Sequence, residues 1–123
     1  AALIQHEDIY QLSAFLPPEK EVEFLRRCPG CLAVRWEDDF CDILPEGGGK
    51  PNGLAHTLAH LGLTREQCIA FGDGGNDVTM LEYAGIGVAM GNACEEAKAA
   101  ADYVTDDIMK DGLAKALEHF GLI

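Results

Sequence analysis

From residue 52 onward, segments with a helical pattern of apolar residues alternate with short apolar runs. The runs at 68–72, 86–90 and 102–104 are predicted to be strands. The segments around them are predicted to be helices, at about 52–62, 76–84, 93–100 and 111–120. Strands that alternate with helices form a parallel sheet with helices on its faces. This part of the chain is therefore predicted to be an α/β fold.

Two residues in this part are expected to cap helices. Asn92 followed by Glu95 has the spacing of a capping box, with Asn in place of the usual Ser or Thr. Asp111 precedes the last predicted helix and is a suitable N-cap residue for it.

The beginning of the chain has a different pattern. The alternating segment D-I-Y-Q-L-S-A-F, residues 8–15, is predicted to be a strand, and a helix is predicted from Pro17-Pro18 to Arg27. L-A-V-R-W at 32–36 and F-C-D-I-L at 40–44 are predicted to be two strands joined by the polar turn E-D-D.

A Gly/Pro-rich passage, P-E-G-G-G-K-P-N-G at residues 45–53, separates these two parts. Such a passage is typical of a boundary between structural units. We therefore predict two domains, residues 1–45 and residues 46–123.

Composition excludes several classes of partner. The chain has 123 residues, of which 48% are apolar, and its net charge is -12, with 21 acidic against 9 basic side chains. This charge disfavours binding to nucleic acid and to anionic membranes. The apolar runs fall short of the roughly 18 residues that a bilayer span needs, and the N-terminal residues lack a secretion-signal pattern. A cytoplasmic protein with reduced thiols is predicted.

Two pairs of potential metal ligands have weaker support. Cys28 and Cys31, in C-P-G-C, have the spacing of a redox or zinc half-site, but a helix end followed by a Pro-Gly turn explains the same residues. His56 and His60 are one helical turn apart, but the glutamate of H-E-x-x-H is absent. Structural cysteines and solvated histidines are the favoured interpretations.

The segment F-G-D-G-G-N-D, residues 71–77, contains the strongest functional signal. It follows a predicted strand, and in a parallel sheet ligands bind where such strands end. Its glycines allow close approach of a ligand, and its two carboxylates are costly side by side unless a cation neutralises them. Oxygen ligands suit Mg²⁺. The loop therefore predicts a magnesium site, although an Asp/Gly/Asn turn that only caps the next helix has the same residues.

Several segments together resemble the haloacid dehalogenase superfamily of phosphohydrolases, in its Cof-like, sugar-phosphatase branch with a large α/β cap. The matching segments are Lys50 in its glycine loop, G-D-G-G-N-D, G-I-G-V-A-M-G-N-A at 85–93, A-D-Y-V-T at 101–105 and the cap-like stretch 9–43. The resemblance implies the C-terminal half of a Rossmann-like parallel sheet with flanking helices, together with a remnant of the α+β cap at the N-terminus. It also implies hydrolysis of phosphate monoesters, with sugar phosphates as a family-level expectation.

The resemblance implies roles for particular residues. Asp73 would ligate Mg²⁺, and Asp77 would support the metal or its waters. Asn76 would help to bind the phosphate, and Lys50 would offset its charge and orient the nucleophile. Lys50, Asp73 and Asp77 are thus the expected catalytic residues, in a reaction that proceeds through an aspartyl-phosphate. Arg35 and Trp36 could contact the substrate from the cap, but packing within the cap sheet is the favoured alternative.

One family motif is absent. Members carry D-x-D after an apolar strand, and its first Asp is the nucleophile; no D-x-D occurs in this sequence. We expect the chain to be the C-terminal part of a longer phosphatase and to be inactive alone. Because the sheet would lack a strand, self-association or pairing with the missing N-terminal part is expected. A non-catalytic acidic interaction or regulatory module, and one chain of a split phosphatase, are the alternatives.

Overall fold

The computed structural model describes residues 8–123, so the first seven residues of the predicted domain 1–45 lie outside the described residues. The chain divides into two compact units, and the division falls between Gly49 and Lys50, within the Gly/Pro-rich passage. Whether these units correspond to a cap and a core stays a prediction.

The first unit contains one helix and a small antiparallel sheet. Its elements are β1 (Leu12–Ala14), α1 (Pro18–Arg27), β2 (Cys31–Arg35) and β3 (Cys41–Pro45). The strand order is β1-β3-β2, and Asp42 in β3 lies opposite Ser13 and Val34. The predicted hairpin and helix are confirmed, but the predicted strand 8–15 is reduced to its three residues that pair with β3.

Arg35 stabilises this first unit by bonding to several chain segments. Its guanidinium donates to the carbonyl oxygens of Leu16, Glu37, Asp38 and Phe40 and forms a 2.9 Å ion pair with Glu21. A planar guanidinium can satisfy all these acceptors at once because its five N–H groups point in fixed directions. The loop that joins β2 to β3 is therefore closed around this side chain.

The second unit is the predicted α/β fold. Its three parallel strands have the order β4-β5-β6, with β4 at Ile69–Gly72, β5 at Ile86–Ala89 and β6 at Tyr103–Val104. The helices are α2 (Lys50–Leu61), α3 (Val78–Tyr83), α4 (Glu95–Ala100) and α5 (Gly112–His119). All seven elements lie within about two residues of their predicted bounds, and three short 3₁₀ turns, Arg65–Gln67, Gly75–Asp77 and Ile108–Lys110, complete the unit.

The core of this unit consists of small and branched apolar residues. Leu81, Val88 and Ala97 are at most 1% exposed. Gly87 permits the close packing of α3 on β5, because a Cβ at this position would lie 2.5 Å from the carbonyl oxygen of Leu81. None of the helices within residues 8–123 has the length and hydropathy that crossing a bilayer requires.

The two capping predictions need correction. The residue before α4 is Cys94, and the Asn92 side chain instead bonds to residues of two other loops. Asp111 does precede α5, but its backbone is left-handed, with φ 59°, and its side chain makes no capping hydrogen bond. Short Asp residues tolerate this conformation better than most others do.

Candidate functional site

The loop that follows β4 folds back tightly on its own strand. Gly72 is buried, and a Cβ at this position would lie 2.5 Å from the Cβ of Asp77. The N–H of Asp77 donates to the carbonyl oxygen of Gly74 at 3.0 Å and closes a 3₁₀ turn before α3. Glycine at position 72 is therefore required for the Asp77 side chain to occupy its place beneath the loop.

Asp77 holds this loop together. Asp77 as a whole is 5% exposed, and its Oδ2 accepts the backbone N–H groups of Asp73 at 2.9 Å and Gly74 at 3.1 Å. Its other oxygen, Oδ1, accepts a hydrogen bond from the ammonium group of Lys50. Burial alone would raise the pKa of Asp77, but the bonds to Lys50 and to the two backbone donors outweigh it, so that this pKa lies below its ordinary value of 3.8.

Lys50 reaches the same place from a different element. It is the first residue of α2, and its side chain is 45% exposed although it contacts the buried carboxylate of Asp77. The ammonium group therefore lies beside the acidic loop and keeps contact with solvent. Its positive charge neutralises one of the two loop carboxylates, that of Asp77. This ion pair reduces the cost of holding two carboxylates close together in the loop.

Asp73 is the carboxylate that remains available. It is exposed, and its Oδ2 accepts a 3.3 Å hydrogen bond from Nδ2 of Asn92. Within residues 8–123, no hydrogen bond or ion pair engages its Oδ1. An exposed carboxylate oxygen at the end of a parallel strand is a suitable ligand for a hard divalent cation. Asp73 would therefore offer one oxygen ligand to Mg²⁺.

Asn92 contacts the acidic loop, which the sequence reasoning did not predict. It donates to Asp73 through Nδ2, and its Oδ1 accepts the backbone N–H of Ile108 at 3.2 Å. It thereby connects the acidic loop with the loop that precedes α5. Its position just after β5 could have predicted this contact, because neighbouring parallel strands end at the same edge of the sheet.

A cavity of about 260 Å³ opens beside Asp73. It combines the polar groups of the loop with apolar side chains from β4, the end of β5 and the segment around α5. Its lining residues are Phe71, Gly72, Asp73, Asp77, Met90, Asn92, Ile108 and Leu113. The surface that lines the cavity is mostly apolar, and the loop contributes only a small polar share.

Asn76, Trp36 and Arg35 are the remaining candidate residues. Asn76 lies in the same loop, and its side-chain oxygen lies close to Gly74. A Cβ atom added at Gly74 would be 2.8 Å from Oδ1 of Asn76. Trp36 belongs to the first unit, where its ring packs edge-on against Phe40 and its Nε1 donates to Asp42. These contacts, like those of Arg35 described above, favour the packing interpretation.

The two weaker metal hypotheses gain no support. His56 and His60 are exposed on α2, and Cys28 lies at the end of α1 before a turn. In the part of the chain from residue 8 on, no three His, Cys, Asp or Glu side chains are grouped to hold a metal ion. A cation at Asp73 would therefore need further ligands, such as water or substrate oxygens.

Comparison with known proteins gives consistent results. The profile of the haloacid dehalogenase-like hydrolase family matches residues 2–117. YkrA of Bacillus subtilis (strain 168) is 41% identical over 117 residues, which are 95% of this chain and 45% of YkrA. The HAD subclass IIB sugar phosphatase BT4131 superposes with a TM-score of 0.88 at 45% identity, over 95% of this chain and 45% of its own.

A third relative, the HAD-superfamily phosphatase BT1666 of Bacteroides thetaiotaomicron, superposes with a TM-score of 0.93 at 39% identity, over 99% of this chain and 46% of BT1666. The chain thus spans a little under half the length of each of these three proteins. The family profile covers most of the chain, and the fold agrees with it. The chain belongs to the haloacid dehalogenase-like hydrolase family.

Proposed function

We propose that this chain contributes the cation-binding and phosphate-orienting part of a Mg²⁺-dependent phosphatase that hydrolyses phosphate monoesters. The observation that carries the proposal is the convergence of Lys50, Asp73 and Asp77 at the carboxyl end of β4. The Lys50 ammonium bonds to the buried Asp77 carboxylate, whose other oxygen accepts the backbone N–H of Asp73, within a single compact unit. This set matches what phosphoryl transfer requires, namely charge neutralisation and fixed positions for the phosphoryl oxygens.

Each residue has a distinct role in this proposal. Asp73 ligates Mg²⁺, which when bound supplies positive charge to the phosphoryl oxygens. Lys50 adds a second positive charge beside them, and Asn76 offers an amide group to the phosphate. Asp77 fixes the position of the Lys50 ammonium and the shape of the loop, and in this way it supports the metal site.

The substrate class follows from the relatives. BT4131 is described as a sugar phosphatase, and it shares 45% identity with this chain. We therefore propose a phosphorylated sugar as the substrate, with the unit that ends at Gly49 acting as part of a cap and the unit that begins at Lys50 acting as part of the catalytic core.

We further propose that the 123-residue chain alone does not turn over substrate. Its sequence contains no D-x-D, so it lacks the aspartate pair that would accept the phosphoryl group and transfer the proton. Within the described residues, β4 pairs with β5 on one side only. Its other edge can pair with a strand from a second copy or from a chain that supplies D-x-D.

Binding of Mn²⁺, an EPR-visible substitute for Mg²⁺, tests the cation site. The free Mn²⁺ signal should show one saturable site, and Asp73→Asn should abolish it. Asp111→Asn is a matched control, because it removes the same charge from another exposed position whose left-handed backbone suits asparagine. Absence of saturable binding, or equal binding by Asp73→Asn, would contradict the proposal.

Hydrolysis of p-nitrophenyl phosphate tests the proposal that the chain alone does not turn over substrate. With Mg²⁺ present, the isolated chain should release p-nitrophenol no faster than the buffer does. Turnover that disappears in Asp73→Asn would mean that another residue of this chain replaces the missing nucleophile. Sedimentation at high concentration tests the pairing of β4 with a second copy, which a strictly monomeric chain would contradict.

A further inference from the structure

The turn between α1 and β2 brings two cysteines together. Helix α1 ends at Arg27, and the next four residues are Cys28, Pro29, Gly30 and Cys31. The N–H of Cys31 donates to the carbonyl oxygen of Cys28 at 3.2 Å, and Gly30 has a φ of 81°. Pro at the second position and a glycine with positive φ at the third are the signature of a type II turn.

This turn meets the Cα-separation requirement of a disulfide. The first and fourth Cα atoms of a β-turn lie less than about 7 Å apart, and the Cα atoms of disulfide-bonded cysteines usually lie about 4.4–6.8 Å apart. Both thiols are free and only partly buried. They can therefore be reached by a small reagent, and the backbone already holds their Cα atoms at a suitable separation.

Hydrogen bonds hold the turn from both sides. The N–H of Cys28 donates to the carbonyl oxygen of Leu25 in α1 at 3.1 Å. On the other side, Cys31 pairs with Pro45 of β3, and the N–H of Glu46 donates to the carbonyl oxygen of Gly30 at 2.7 Å. Because the helix and the sheet fix the turn, closing the ring between the two sulfur atoms loses little additional chain entropy.

We propose that Cys28 and Cys31 form a reversible dithiol/disulfide site that exchanges with low-molecular-weight disulfides. One cysteine thiolate attacks a sulfur of the reagent, forms a mixed disulfide and releases one thiolate. The second cysteine thiolate then attacks the bound cysteine sulfur, closes the intramolecular disulfide and releases the second thiolate. The two thiol protons pass to the released thiolates, and the reagent takes up the two electrons that the cysteines lose.

The other three cysteines have no comparable partner arrangement. Cys41 is fully buried in β3, whereas Cys68 precedes β4 and Cys94 follows β5, at opposite ends of that sheet. Oxidation should therefore be confined to the turn. This site is independent of the proposed phosphatase function.

Equilibration of the whole chain in glutathione buffers of graded ratio, followed by acid quenching, alkylation and peptide mass mapping, tests the proposal. Two of the five thiols should become unreactive together, with a mass loss of about 2 Da in the peptide that contains residues 28–31. The effective concentration of the pair should be on the order of millimolar or higher. In a denaturing concentration of urea it should fall several-fold, because the turn no longer holds the cysteines.

Variants complete the test. Cys28→Ser and Cys31→Ser should each prevent the intramolecular product and leave a glutathione adduct on the remaining cysteine. Cys68→Ser, the matched control, should leave the disulfide intact. The proposal would be overturned if both turn cysteines carried glutathione adducts in the oxidising buffers, if they stayed reduced throughout, or if urea did not change their effective concentration.

Discussion

Replacing Asp77 with asparagine tests the central contact network of the acidic loop. The asparagine side chain has nearly the same shape, but it lacks the charge and presents an NH₂ group in place of one carboxylate oxygen. Its amide oxygen can still accept the N–H groups of Asp73 and Gly74, while its NH₂ group then faces the Lys50 ammonium. Asp77→Asn therefore weakens two bonds and replaces an ion pair with an unfavourable contact.

The size of the expected loss in the free energy of unfolding follows from these contacts. A hydrogen bond to a charged group contributes about 1.5–3 kcal/mol and a neutral one about 1 kcal/mol, so the two backbone bonds lose about 1–4 kcal/mol together. The ion pair adds no more than about 1 kcal/mol, because Lys50 is 45% exposed and water screens it. We expect Asp77→Asn to lower the free energy of unfolding of the second unit by about 1–5 kcal/mol.

Urea unfolding followed by circular dichroism, combined with amide hydrogen exchange in β4 and β5, measures this loss. Asp111→Asn removes the same charge from an exposed position and should cost less than about 1 kcal/mol. A loss below about 0.5 kcal/mol for Asp77→Asn would refute the reasoning, because two charge-assisted bonds could not then be present.

The same contacts make the loss depend on pH. The pKa of Asp77 is lower in the folded chain than its ordinary value of 3.8, so folding favours the ionised form. The stability that this carboxylate contributes is fully present above that value and disappears as the pH falls through the lower, folded-state pKa. The difference between wild type and Asp77→Asn should therefore be constant near pH 7 and should shrink below about pH 4.

Three further predictions concern the packing and the hydrogen bonds within each unit. Gly87→Ala should lower the free energy of unfolding by about 1–3 kcal/mol, because the new methyl group meets a backbone carbonyl of α3. Gly53 faces open space in α2, so Gly53→Ala should raise the free energy of unfolding by up to about 1 kcal/mol. Equal effects of the two variants in thermal unfolding would contradict this. Arg35→Lys should destabilise the first unit by about 1–3 kcal/mol, because an ammonium group cannot bond to all the acceptors of the guanidinium. An unfolding curve unchanged in tryptophan fluorescence would show that Arg35 does not stabilise this unit. Asn92→Ala should accelerate amide exchange at Ile108 about fivefold, and an unaltered rate would show that the side-chain bond is absent in solution.

Much of the fold could be predicted because local signals and tertiary structure agree. The second unit alternates between apolar runs and helical segments, and glycines or polar residues separate them, so each element lies close to its predicted bounds. The segment 8–15 shows the limit of this reasoning. Its alternation predicted a long strand, but only Leu12–Ala14 pair with β3, and pairing depends on a partner that the local pattern does not specify.

The sequence indicates the residues of the acidic loop but not the bonds between them. The glycine spacing indicated the loop and Lys50 was expected nearby, yet the sequence does not indicate that Asp77 bonds to two backbone N–H groups and to Lys50 while Asp73 stays exposed. Asn92 was wrongly predicted to cap a helix. Contacts with Asp73 and Ile108, 19 and 16 residues away, determine its position instead of the local pattern.

The most direct test of the central claim is to locate the bound cation. Crystals of the chain grown with Mn²⁺ should give an anomalous peak at about 2.1 Å from a carboxylate oxygen of Asp73, at the carboxyl end of β4 and beside the Lys50 ammonium. A fully occupied peak bound only by other carboxylates, or no peak at Asp73 under saturating Mn²⁺, would contradict the assignment of this loop as a cation site.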